Sequence, residues 1–309
     1  MKVRAKAGDD NLATVYIAEN EKGNVIEFAQ SLQPPFPREK KWVFLISTLY
    51  GCPVKCDFCD AGGFYSGKLS KDEIMFQINY LLKEYDADKF NCEKLKIQFA
   101  RVGEPSYNDA VIEVLKEIKF NIKKHNLYPS LSTVAPASCA LFFEKLAEVK
   151  KALYPKTFQL QFSIHSTDAE VRDKIIPVKK WSFKEIADYG EKFYGEGGRK
   201  ITLNFIYNPD FKSDADVIKK YFSPDKFLIK ITPVNPTYKA VSNKLVAGFY
   251  YKEDVWFELL RKEGYEVIIS VGELEENKIG SNCGQHITNY LRNKEKISES
   301  YTYRVVSIG

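Results

Sequence analysis

The chain has 309 residues, of which 44 % are hydrophobic, 28 % charged and 14 % aromatic, an ordinary soluble globular composition with ample core material. Its length suits one large domain or two small ones, and α/β barrels use such a length as a single unit. No run of about 18 apolar residues occurs, so no membrane span is expected. The N-terminal Met-Lys-Val-Arg-Ala-Lys is charged with no apolar stretch behind it, so no secretory signal is visible. A cytoplasmic location follows as the expectation, where thiols stay reduced and clustered cysteines bind metal or do redox work. A net charge of +5 permits an anionic partner without requiring one.

In chain order, residues 1–41 carry two strand-like runs, Thr14-Val-Tyr-Ile17 and Asn24-Val-Ile-Glu-Phe28, then the loop Pro34-Pro35-Phe36-Pro37. From Trp42 onward strands and helices alternate. Strands are predicted at 42–47, 95–100, 129–133, 157–163, 200–207 and 227–232. The clearest helix starts at Ser70-Lys-Asp-Glu73, a capping-box match, with Ile74, Ile78, Leu81 and Leu82 on one face. Further helical patterns cover 109–124, 140–150, 183–193 and 214–222. This alternation argues for a parallel sheet with right-handed crossovers. Six βα units predict a partial (β/α)6 TIM-like barrel with a short N-terminal β extension, its chemistry at the C-terminal ends of the strands. The expected division is an N-terminal β extension at 1–41, a barrel at 42–245 and a C-terminal extension at 246–309.

Directly after the first barrel strand stands Cys52-Pro-Val-Lys-Cys56-Asp-Phe58-Cys59, three thiols in one short loop. A structural zinc site closes with four ligands in paired motifs, and here the second pair is missing, because Cys92, Cys139 and Cys283 are each alone. An iron–sulfur cluster fits better, since thiolates at short spacings are its usual ligands. The next strand leads into Arg101-Val-Gly103-Glu104-Pro105, where the glycine lets backbone approach a ligand and the carboxylate can accept from an ammonium. Ser132, Ser163, His165 and Asn235 lie at further strand ends. Separately these are helix caps or a structural histidine; together they put hydroxyl, imidazole and amide groups around one barrel mouth.

The spacing C-x3-C-x2-C, with an aromatic before the third cysteine, resembles the radical S-adenosylmethionine superfamily. That resemblance implies a [4Fe-4S] cluster on Cys52, Cys56 and Cys59, with S-adenosylmethionine bound to the fourth iron and cleaved to methionine and a 5′-deoxyadenosyl radical. More narrowly, the chain resembles the radical S-adenosylmethionine methyl synthases that methylate adenosine C2 or C8 in ribosomal and transfer RNA, including the chloramphenicol–florfenicol resistance type. The likeness runs from Leu12–Ile17 through Phe58–Glu73 and Gly103–Asn108. It continues through Ser163–Asp173, Ile176–Val178 and Ile231–Pro236 to Ile279–Gln285. By position, Gly103, Glu104, Ser132, Ser163, His165 and Asn235 match residues that bind S-adenosylmethionine, and Cys283 matches the catalytic cysteine that carries the methyl group.

Three departures accompany the match. The family has a helical RNA-binding domain ahead of the strand that begins here near Leu12, where this chain has almost nothing. Its proton-accepting carboxylate falls at Ala13, and its second catalytic cysteine, which releases the protein–RNA link, falls at Leu45. Leucine cannot attack as a thiol and alanine cannot take a proton, so that release step is expected to be absent. The expectation is a radical S-adenosylmethionine enzyme that abstracts hydrogen from an unidentified substrate, with Cys283 at the active site and an electron donor such as flavodoxin or ferredoxin. The alternatives are an RNA adenosine C2/C8 methyltransferase with Cys283 as methyl carrier, in which Cys92 or Cys139 resolves the link if folding brings one close, and a non-catalytic metal-binding protein. Lys119, Lys123, Lys124, Lys150 and Lys151 read as solvated helix faces, and nothing resembles a dedicated RNA module. RNA is therefore expected as a possible but not favoured substrate.

Overall fold

A computed structural model describes residues 1–32, 34–208, 211, 213–245, 255–270, 279, 286–287 and 305–308. Three antiparallel strands come first, β1 (Lys2–Asp9), β2 (Ala13–Glu19) and β3 (Val25–Ser31). The parallel strands are β4 (Trp42–Ile46), β7 (Leu95–Phe99), β8 (Leu127–Thr133), β9 (Gln159–Ser163), β10 (Ile201–Tyr207), β11 (Phe227–Pro233) and β12 (Val267–Ile269). A separate hairpin pairs β5 (Leu49–Gly51) with β6 (Tyr65–Lys68). The main sheet runs β12-β11-β10-β9-β8-β7-β4-β3-β2-β1 and ends on β13 (Val306–Ser307). Among the described residues its two edges do not meet, which makes it a partial barrel. All six predicted barrel strands are present. The sequence reading passed over β1, whose alternating charged and small residues gave no apolar run.

Helices α1 (Lys71–Glu84), α2 (Ala110–Asn121), α3 (Ala140–Leu153), α5 (Phe183–Tyr194), α6 (Ala215–Tyr221) and α8 (Val255–Lys262) cover one face, while α4 (Ala169–Ile175) and α7 (Tyr238–Ser242) are short. The Ser70 hydroxyl and Glu73 carboxylate cap α1 reciprocally, and Ser182 with Glu185 does the same for α5. Strand alternation decides what each face buries. Trp42, Phe44, Ile46, Leu95, Ile97, Phe99, Leu160, Phe162, Leu203, Phe205, Ile229 and Ile231 turn toward the helices and form one continuous core. Each such fully buried side chain contributes about 1.5–3 kcal/mol relative to exposure.

The opposite face differs along the sheet. Near β2–β4 it is apolar: Ala13, Val15 and Ala29 pack with Leu12, Leu45 and Ile279. From β7 to β11 it carries Lys96, Gln98, Ser130, Gln161, Thr202, Asn204 and Lys230, the residues that alternate with the core positions. No helix among the described residues is long and apolar enough to cross a membrane. Of the lysines read as solvated, Lys119, Lys123, Lys124 and Lys151 are exposed. Lys150 is not: it is buried and donates to the Tyr194 carbonyl at 2.7 Å, because α3 packs its last turn against the end of α5.

Candidate active site

The β5–β6 hairpin sets the cysteine loop at the C-terminal end of β4. Gly51 (φ +81°) passes so close to the Phe64 carbonyl that a Cβ would lie 1.8 Å from its oxygen, and Cys52 N donates to that same carbonyl at 3.0 Å. Inside the loop Cys59 N donates to the Cys56 carbonyl, and Asp57 N ties to the Ile175 carbonyl at 3.0 Å. The three thiols are half-buried. Cys52 and Cys59 rest beside Ala5, Ile17, Val102 and Ile287, while Cys52 and Cys56 rest beside Val54, Val134 and Ile176.

Burial, the dominant cause, pushes the Cys52 thiol up to about 11, with the Glu104 carboxylate adding to the rise. Burial drives Cys56 up further, with added repulsion from Cys52 and Glu104 and some relief from Lys239. A group held in such a pocket must therefore bring its own positive charge to keep these ligands ionised. Among the described residues no three His, Cys, Asp or Glu side chains converge on one ion position, as a single tetrahedral zinc would need. Three soft donors on one short loop fit an iron–sulfur cluster, in which each thiolate binds a separate iron.

A second layer, which the sequence reading missed, grips the loop from the far side of the barrel. Lys239 Nζ donates to the carbonyls of Lys55 and Cys56 at 2.7 and 2.8 Å, and Asn243 Nδ2 donates to that of Asp57 at 2.7 Å. Thr237 Oγ1 donates to the Phe58 carbonyl, and the buried Asp60 carboxylate accepts from Tyr238 N and Lys239 N at 3.0 and 2.9 Å. The only local signal for this was the Thr237 cap on a five-residue helix, too short to show a period.

Gly103 (φ +98°) lies against Leu49, 2.5 Å from where its Cβ would be, so only glycine fits that turn. Glu104 is buried. Its Oε1 accepts from Ser106 N (3.2 Å), Ser106 Oγ (2.6 Å) and Thr133 Oγ1 (2.6 Å), and its Oε2 accepts from Val134 N (2.9 Å). The carboxylate thus staples the end of β7 to the end of β8, and Oε2 keeps a lone pair for one more donor. His165 is buried at φ +64°. Its Nδ1 accepts from Ile206 N at 3.1 Å, its ring meets Phe58 edge-on at 4.9 Å, and burial lowers its pKa to about 3. The ring is therefore neutral, with its proton on Nε2 as a donor. Ser132 Oγ accepts from Gln161 Nε2 at 3.2 Å, Ser163 ends β9, and Asn235 is exposed just past β11. All of these sit at the strand ends that face the cysteine loop.

Cys283 lies outside the described residues. Two neighbours on either side of it in the chain are placed: Ile279 against Ala13, Ala29 and Leu45, and Ile287 beside Cys52 and Cys59. His286 Nε2 meets the Ile279 carbonyl at 2.8 Å, and Ile287 N donates to Glu27 Oε2 at 2.9 Å. Glu27 is paired with Arg101 at 2.8 Å in a site almost closed to solvent. Cys139 lies beside Ser106 in the Glu104 cluster, whereas Cys92 is buried beneath Trp42 and His125 at the opposite end of the strands.

No protein-family model matches the chain. Among curated relatives, a probable dual-specificity RNA methyltransferase RlmN of Pseudothermotoga lettingae is 31 % identical over 233 residues, 73 % of this chain and 63 % of that protein. A namesake from Dictyoglomus turgidum is 26 % identical over 95 % of this chain and 80 % of its own length. The chain thus spans less than two thirds of the first of these relatives. Among solved structures, a radical SAM methyltransferase from Sphaerobacter thermophilus shares the fold with a TM-score of 0.68 at 18 % identity, covering 90 % of this chain and 78 % of that one. The chain is thus a relative of the dual-specificity RNA methyltransferases, and it shares the fold of a radical SAM methyltransferase with its three-thiol loop at the mouth of the partial barrel.

Proposed function

We propose that this chain is a radical S-adenosylmethionine enzyme, with Cys52, Cys56 and Cys59 as ligands of a [4Fe-4S] cluster. The supporting observation is the placement of that loop beside Gly103, Glu104, Ser132, Ser163 and His165 at one barrel mouth. When bound, the cluster supplies the electron that cleaves S-adenosylmethionine to methionine and a 5′-deoxyadenosyl radical. The protein's part is to bind and orient. Glu104 Oε2 and the close backbone at Gly103 offer acceptors to the methionine ammonium, and the Ser132 and Ser163 hydroxyls lie at neighbouring strand ends for the ribose and carboxylate. His165 presents Nε2–H as a neutral donor, and Asn235 borders the site from β11.

Anaerobic reconstitution tests this reading. The expected result is a broad visible absorbance lost in Cys56→Ala, with 5′-deoxyadenosine formed under reductant. Bound zinc and no cleavage would instead support a non-catalytic metal-binding protein. Whether flavodoxin or ferredoxin donates the electron is answered by supplying each in place of a chemical reductant.

The substrate has two readings. The named relatives are RNA methyltransferases, so RNA is not disfavoured, contrary to the sequence expectation, and RNA adenosine methylation with Cys283 as methyl carrier stands as the second reading. Against its usual release step, Ala13 and Leu45 share one apolar cluster with Val15, Ala29 and Ile279. Cys139, beside the Glu104 cluster, is the placed thiol nearest the mouth that could substitute. Mass spectrometry of Cys283 separates the readings: a methyl group there supports methyl transfer, and an unmodified thiol supports direct hydrogen abstraction from the substrate.

A further inference from the structure

The face of the sheet that looks into the barrel is cationic. Lys96 on β7 and Lys230 on β11 replace the apolar or small residues that would fill a barrel interior. Lys94 and Arg199 stand at the lower strand ends, their charged groups 5.3 and 5.9 Å from the Tyr128 ring, and Arg199 Nε also donates to Gln159 Oε1 at 2.6 Å. Tyr128 is the direct ladder partner of Lys96, which lies within the field of both cations. Among the described residues, none of Lys94, Lys96, Arg199 and Lys230 pairs with a carboxylate, and the charges that surround Lys96 are Lys230, Lys41, Arg199 and Lys94.

An uncompensated cluster of this kind is costly in the free protein, because each cation raises the energy of the others in a partly desolvated space. An anion repays that cost. A second observation points the same way. Asn204 is buried on the same face, bonded in the ladder to Lys230 on one side and Ser163 on the other, and its amide oxygen has no hydrogen-bond partner among the described residues. An acceptor beside a row of cations suits a ligand that carries hydroxyls as well as negative charge.

We propose that the barrel interior binds the phosphate groups of the substrate, a phosphate ester with free hydroxyls, with Lys96, Lys230, Arg199 and Lys94 as the anion subsite and Asn204 accepting from a hydroxyl. The ladder row Ser163–Asn204–Lys230 joins this subsite directly to the mouth where the cysteine loop lies. A substrate anchored there directs its other end toward the position of the radical. This inference rests on the preceding reading only in calling the anion the substrate.

Calorimetry with inorganic pyrophosphate on the anaerobically reconstituted full chain tests it without involving S-adenosylmethionine cleavage, so either idea can fail alone. Saturable binding is expected, weakened at least tenfold in Lys96→Met/Lys230→Met and unchanged in Lys151→Met/Lys192→Met, whose lysines are exposed. Absent binding, or equal affinity in all three proteins, overturns the proposal. Should the double variant not fold, acylation of the native protein decides: pyrophosphate must protect Lys96 and Lys230 in the mass spectrum, and unprotected labelling sinks the idea. Displacement of pyrophosphate by a nucleoside diphosphate alone identifies a free small molecule as the phosphate source, and displacement by an unphosphorylated RNA oligonucleotide identifies a nucleic-acid backbone; both outcomes support the subsite.

Discussion

Replacing Lys96 with methionine should stabilise the free protein, and the gain should depend on pH. Burial first, then repulsion from Lys230, Lys41, Arg199 and Lys94, lowers this lysine from 10.5 to about 7. At about 1.4 kcal/mol for each tenfold change in proton affinity, holding it charged costs at most about 5 kcal/mol, reduced by solvent reaching the open interior. The sign follows from proton counting. Below pH 7 the lysine is protonated both folded and unfolded, so the whole penalty is present. Between pH 7 and 10.5 the unfolded chain holds the extra proton, and native stability rises with pH. Urea unfolding at pH 6 and pH 9 measures this: Lys96→Met should exceed the native protein at pH 6, and the gap should narrow by about 3 kcal/mol at pH 9. Methionine fills much the same volume, so lost packing does not mask the effect. A variant less stable than the native protein at both pH values, by the same amount, refutes the electrostatic account.

Lys239→Met should loosen the cysteine loop, because two charge-assisted bonds to the Lys55 and Cys56 carbonyls are lost, worth about 1.5–3 kcal/mol each. Faster iron loss to a chelator, together with a lowered unfolding midpoint, is the expected readout, and unchanged iron retention would falsify the grip. Arg101→Met should cost about 3–5 kcal/mol by leaving Glu27 charged and buried, whereas Glu27→Gln/Arg101→Met together should cost less than the single change. Denaturant unfolding of Arg101→Met, Glu27→Gln and the double variant checks this, and additive losses would count against a coupled pair.

The scaffold was legible where the chain carries local signals. Trp42–Ile46 is apolar or aromatic throughout and Ile201–Tyr207 mostly so, and Ser70 with Glu73 marks a helix start that the structure forms atom for atom. The cysteine loop announced itself by spacing. What escaped were partnerships made by strand order. Glu27 and Arg101 meet only because β4 lies between β3 and β7, so the start of the antiparallel β3 and the turn after β7 come together. Lys96 and Lys230 each look like one charge in an otherwise apolar strand. Only curvature of the sheet turns them toward each other, whereas the helix-end lysines that stand out in the sequence are mostly solvated.

The apolar side of the same interior makes a sharper test of how far the chain has moved from its relatives' chemistry. Ala13 is fully buried as the first residue of β2, opposite Ser31, and packs with Leu45, Ala29 and Ile279. Thr14 next to it points the other way, bonded to Asp10 at 3.0 Å. A carboxylate introduced by Ala13→Glu would enter an apolar cluster whose cross-strand neighbour Ser31 already donates its hydroxyl to the Leu32 carbonyl, and burying an ionised group without a partner costs several kcal/mol or forces its protonation. If the cluster is a closed packing unit, Ala13→Glu should lower stability by more than about 3 kcal/mol at neutral pH, with the loss shrinking as the pH falls below 5 and the side chain takes up a proton. Denaturant unfolding at pH 7 and pH 4.5 reads the difference. A harmless Ala13→Glu would mean that this wall opens to water or ligand, and would return the acid-assisted release step to consideration. A costly one means that a substrate bound here meets the hydrocarbon of the Ala13 cluster on one side and lysine on the β7–β11 side, an interior matched to an amphipathic phosphate ester.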